Sequence, residues 1–175
     1  MPSPFSSPEL PAATTDGPLR ALLYGGLACG ILDLAAAMIS SRMVGGASPQ
    51  RLLQTIAGGL LGSSSYQGGG ATAALGLVLH FAISFGAAGV YLALSRKFPA
   101  LNRHAILSGL GYGFLCYWFM SGVVLPLSAL HAPIPTAIGS ARVIRPLVIH
   151  LLFVGLPIAL AVRHWTAPER SHGSR

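Results

Sequence analysis

The stretch AILSGLGYGFLCYWFMSGVVLPLSAL, Ala105 to Leu130, runs for 26 residues without one Asp, Glu, Lys, Arg or His. About 20 apolar residues in an α-helix cross the hydrocarbon of a bilayer. This stretch therefore reads as a membrane span, and it sets the terms for the segments on either side. Ala71 to Leu94 has the same character and carries His80, and Ala21 to Ile39 is interrupted only by Asp33. Pro146 to Val162 carries His150 and is short, so its helix can extend back through Val143 to Arg145. The expected fold class is an all-α membrane protein, a bundle of four transmembrane helices.

Composition agrees. Of 175 residues, 53% are hydrophobic and 9% charged, with mean hydropathy +0.65, whereas a soluble domain is about 25% charged. The net charge of +7 could suggest a nucleic-acid partner, but Lys and Arg are scattered between apolar segments and form no basic face, so none is expected. The partner implied directly is the lipid bilayer. Cys29 and Cys116 lie inside apolar stretches with neither CxxC spacing nor a disulfide framework.

Residues 1–18, MPSPFSSPELPAATTDGP, lack apolar periodicity and read as a disordered arm. Residues 19–165 form the transmembrane domain, and 166–175 are a polar tail. The first apolar segment follows too long a lead-in, with Asp33 in its middle, to be a cleaved signal peptide. With the N-terminus inside, Arg20, Arg96, Lys97, Arg103, Arg163, Arg170 and Arg175 are cytoplasmic, and Arg42, Arg51, Arg142 and Arg145 are not. The positive-inside rule favours that orientation, with both ends in the cytoplasm and Trp165 as an interfacial anchor.

Between the first two spans lies SPQRLLQTIAGGLLG, Ser48 to Gly62. Ser48 is suited to cap a helix over 49–61 that opens on Pro49 and ends at Gly62. Leu52, Leu53, Ile56, Ala57, Leu60 and Leu61 would form its apolar face, opposite Arg51, Gln54 and Thr55. Too short to span, it is expected as a lateral amphipathic helix over the mouth of the bundle.

The chain also resembles itself. Leu77-Val78-Leu79-His80 matches Leu147-Val148-Ile149-His150, 70 positions on, and the Gly-rich pattern of span one around Gly26 and Gly30 matches that of span three around Gly109 and Gly113. Two repeated helical hairpins would explain both matches, with a repeat axis along the membrane normal. The four glycines are the expected helix-packing positions, since small residues four apart let backbones approach closely.

A carboxylate at membrane depth costs a few kcal/mol unless it finds partners. Asp33 shares the small-residue face of Gly26, Gly30 and Ala37, and should point into the bundle. Counted from the same ends of their spans, Asp33, His80 and His150 reach overlapping depths, and an Asp33–His80 contact is expected. An imidazole sharing a proton with a carboxylate is the chemistry of proton-coupled sites, while a purely structural contact would fix helix register. A lesser alternative makes His80 and His150 axial ligands of a haem b, with Arg142 and Arg145 on its propionates. No metal site and no catalytic motif (HExxH, GxSxG, P-loop or dinucleotide fingerprint) is found.

The blocks GGATAALGLVLHF (69–81), MSGVVLPLSAL (120–130) and HLLFVGLPIAL (150–160) resemble a family of bacterial inner-membrane proteins with four predicted spans and a domain of unknown function. The resemblance implies a bacterial plasma membrane and no particular activity. Taken together, the readings lead to a non-enzymatic integral membrane protein with an intramembrane polar site at Asp33, His80 and His150, handling protons or a small solute as an oligomer through its glycine faces. The alternative is a structural or assembly partner of a larger membrane complex.

Overall fold

The computed structural model describes residues 16–167. Most of the N-terminal arm and of the polar tail lies outside the described residues. The elements are α1 (Asp16–Gly45), α2 (Pro49–Leu61), a 3₁₀ segment (Gly62–Gln67), α3 (Gly69–Lys97), a single turn (Ala100–Arg103), α4 (Ala105–Leu127) and α5 (Ala141–Thr166). No strand occurs among the described residues. Asp16–Pro18, read from sequence as the end of the arm, form the first turn of α1.

Helices α1, α3, α4 and α5 are each long and apolar enough to cross a membrane. Their outward faces are apolar too: Leu107, Leu115 and Leu127 are 74%, 63% and 80% exposed. Such a surface suits lipid, and the chain is an integral membrane protein with four spans.

Lipid is as apolar as leucine, so spans associate by close packing more than by hydrophobic drive. Small residues supply it. Gly26 lies against the ring of Phe85 and Gly30 against that of Phe81, joining α1 to α3. Gly25 meets Ala88 and Ala161. Gly109 and Gly113 pack against the main chain of α5 at Gly155 and His150, where a Cβ on any of these three glycines would strike backbone. Helix α1 thus packs against both α3 and α5, and α5 against α4, while α3 and α4 do not pack along their lengths. Around the bundle the order is α3, α1, α5, α4, open between its two ends.

That opening bears on the repeat. A two-fold axis exchanging α1 with α4 and α3 with α5 would make the α1–α5 seam equivalent to an α3–α4 seam, but only the first is formed. The second hairpin also differs in its ladder. Met120–Val124 in α4 and His150–Gly155 in α5 are π-helical, with Leu125 N–H bonded to Met120 O and Leu156 N–H to Leu151 O. Each π segment runs into a Leu-Pro pair. Pro126 and Pro157 have no N–H for the carbonyl four residues back, and the ladder widens just before them.

Helix α2 forms as expected, with the Ser48 hydroxyl accepting from Arg51 N–H at 3.2 Å and Gly62 ending it at φ +60°. Its orientation is a correction. Gln54, Ala57 and Gly58 are the buried residues, whereas Leu60 and Leu61 are exposed. Two contacts turn it this way. Gly76 of α3 lets the α2 main chain at Leu53 and Ala57 come into contact, and the Gln54 side-chain amide donates to Gly69 O at 3.1 Å. Close backbone approach and a satisfied amide outweigh the burial of two leucines that lipid can cover.

The buried core, with Ala21, Ala88, Tyr91, Ile158, Ala159 and Val162 in it, fills the half of the bundle nearest the chain ends. There the Trp165 ring stacks on Tyr24 at 5.2 Å and lies under the Arg20 guanidinium. The half nearest α2 is hollow.

Candidate functional site

The hollow is a chamber of about 400 Å³. Helix α1 contributes Asp33, Cys29 and Leu34, α3 contributes His80 and Ser84, α4 contributes Met120 and Val124, and α5 contributes His150 and Val154. Leu52, Thr55, Ile56 and Gly59 of α2 close one side. Asp33, His80 and His150 line this one space, each half-buried.

Each imidazole is held by a main-chain carbonyl. His80 Nε2 lies 2.9 Å from Gly30 O, and His150 Nδ1 lies 2.8 Å from Pro146 O, one turn back in its own helix. A carbonyl can only accept, so the proton sits on Nε2 of His80 and on Nδ1 of His150. In its neutral form each ring keeps a lone pair on its other nitrogen. Tyr117, itself buried, sets the tilt of His150 through an edge contact at 5.6 Å, and Phe81 does the same for His80 at 5.7 Å.

The Asp33–His80 contact expected from the sequence is not formed. Among the described residues the one ion pair is Asp16–Arg20, at 3.9 Å, and His80 is engaged by a carbonyl one turn from Asp33. Gly30, with no side chain, leaves its carbonyl within reach of the imidazole. The chamber therefore gathers Asp33, which has no ionic partner among the described residues, and two imidazoles. Ser84 adds no free donor, because its hydroxyl already donates to His80 O at 2.9 Å.

Comparison with protein families, curated proteins and solved structures finds no match to this chain.

For the bis-histidine haem arrangement, His150 bonds Pro146 O through Nδ1 and keeps Nε2 uncommitted. His80 Nε2, a nitrogen that could ligate iron, is committed to Gly30 O, and Asp33 lines the same space. Among the described residues no group of three His, Cys, Asp or Glu is placed to hold a metal ion.

Gly26, Gly30, Gly109 and Gly113 all lie at helix contacts inside one chain. They are consequently not available as the surface of an oligomer, the role the sequence suggested for the glycine faces. The α2 wall was anticipated in part: Leu52 and Ile56 belong to its expected apolar face, whereas Thr55 and Gly59 do not. The π segments are signalled only by Leu125-Pro126 and Leu156-Pro157. The closest backbone approaches, at Gly76 and Gly155, fall outside the GxxxG pairs.

Proposed function

We propose that this membrane protein accepts protons or a small proton-donating solute at a chamber centred on Asp33, within the bilayer. The observation that carries the reading is the convergence of Asp33, His80 and His150 on one cavity. A carboxyl group and two imidazoles grouped in one hollow between helices suit a ligand that brings hydrogen-bond donors. A carboxylate retained at membrane depth without an ion pair is costly, and a ligand or proton offsets that cost.

The proposal extends to a bacterial plasma membrane with both chain ends in the cytoplasm. Arg96, Lys97 and Arg103 support it. They flank the turn that meets the end of α5, where the Asn102 side-chain amide donates to Thr166 Oγ1 at 3.2 Å, so the basic cluster shares a side with the chain ends.

The test is reconstitution into liposomes enclosing a pH-sensitive dye, with a pH gradient imposed. Wild type is expected to move protons, alone or with added solute, and Asp33→Asn to abolish the movement while elution volume and thermal unfolding stay unchanged. Wild type indistinguishable from empty liposomes, or a variant as active as wild type, overturns the proposal.

A further inference from the structure

A second hollow of about 520 Å³ lies between α3 and α4, on the open side of the bundle. Its walls are apolar, among them Val90, Leu115, Cys116 and Phe119. Val90, Leu115 and Phe119 are also exposed, as side chains facing lipid are. Ile83, Ala87, Met120 and Val124 border both this hollow and the Asp33 chamber. The two spaces adjoin: the first sets Asp33, His80 and His150 into a mostly apolar wall, and the second is apolar and faces the bilayer.

The slot has defined ends. Toward the chain termini, the Tyr112 hydroxyl donates across it to Ala87 O at 2.8 Å, with the Tyr112 ring against Tyr91. At the other end, Ala129 N–H, just past α4, donates to Gly59 O of α2 at 2.9 Å, and α2 is fixed to α3 at Gly76. Between these ties the helices stand apart.

From this juxtaposition we infer that the chamber takes the head of an amphiphile whose hydrocarbon or isoprenoid tail lies in the slot, entering from the bilayer between α3 and α4. The inference rests on the proposed role of Asp33. The head must donate hydrogen bonds and be neutral or cationic, because the one acidic side chain it meets is Asp33. A phosphate head would meet the acidic Asp33 with no Lys or Arg lining the chamber. An apolar lateral approach suits a lipid-borne ligand, because the tail never leaves hydrocarbon.

The experiment uses the full chain in phosphatidylcholine nanodiscs with two photoreactive probes. One is a long-chain amine, and the other is the same chain ending in phosphate. Cross-links are mapped by mass spectrometry. The amine should label Val90, Leu115 and Phe119 in preference to Ile31 and Leu107, which face lipid elsewhere, and the phosphate probe should show no such preference. Asp33→Asn should weaken amine labelling about tenfold, the factor expected for losing one hydrogen bond to a charged group. Gly86 lines the slot and has open space where a side chain would begin, so Gly86→Phe should block labelling. Gly111→Phe, equally unhindered but away from the slot, should not.

Even labelling around the bundle, equal labelling by both probes, or insensitivity to Asp33→Asn and Gly86→Phe overturns the inference. If labelling is even while Asp33-dependent proton movement persists in liposomes, the amphiphile falls and the chamber reading stands. If neither depends on Asp33, both fall.

Discussion

The Nε2–H of His80 donates to the main-chain oxygen of Gly30 across 2.9 Å, tying α3 to α1 beside the chamber. Gly30 also receives the face of Phe81, so one residue without a side chain accommodates two consecutive residues of the neighbouring helix.

Removing that tie has a measurable cost. His80→Ala should lower stability in detergent by about 1 kcal/mol, the scale of side-chain hydrogen bonds between spans. Thermal unfolding monitored by circular dichroism checks it. An unchanged midpoint would mean the bond contributes nothing net.

The α4–α5 seam makes a sharper contrast. A Cβ at Gly155 meets Gly109 O and the Gly113 main chain, whereas one at Gly111 meets nothing within 4 Å. Gly155→Val should therefore abolish folded, monodisperse protein. Gly111→Ala should be neutral or stabilise by up to about 1 kcal/mol through helix propensity. Size-exclusion profiles and melting points of the two variants decide it.

Attachment of α2 depends on Gly76 and Gln54. Gly76→Leu should force α2 off α3, because its Leu53 and Ala57 backbone occupies the required space. Gln54→Leu should loosen it by about 1 kcal/mol by removing the side-chain hydrogen bond from α2 to Gly69 O. Faster protease cleavage in the Gly62–Gln67 segment, with the four spans intact, is the expected signature.

Topology can be read from thiol labelling in intact cells. In a background lacking both native cysteines, Ser64→Cys should react with a membrane-impermeant maleimide from outside. Ala100→Cys should react only after lysis. The reverse pattern would invert the proposed orientation.

Sequence disclosed the four spans because bilayer thickness imposes a length and a composition that few other structures need. It also marked Asp33, His80 and His150, since ionisable groups stand out in apolar helices, and depth along a span can be counted. Which partner each would take was not legible: the acceptor for His80 is a main-chain atom, and every residue has one. The face of α2 was misread for a related reason. Amphipathic periodicity assumes water on the polar side, but near a bilayer leucines can face lipid while Gln54 turns inward to a carbonyl. The open α3–α4 side could not be anticipated either, because packing between spans is decided by which small residues meet, and the decisive one on α5, Gly155, has no glycine partner at helical spacing.

The absence of an α3–α4 seam also governs how the chain can be assembled. The two helices are consecutive, yet α4 finds its extensive packing partner only in α5, the helix that follows it in the chain. While α5 is still in the ribosome, α4 has a hydroxyl bond to α3 and a loop contact to α2 to hold it, and little else. A chain truncated before Ala141 should leave α1, α2 and α3 associated and α4 adrift in the bilayer, open to capture by a membrane protease. Closure of the α4 side of the bundle thus waits on the arrival of α5.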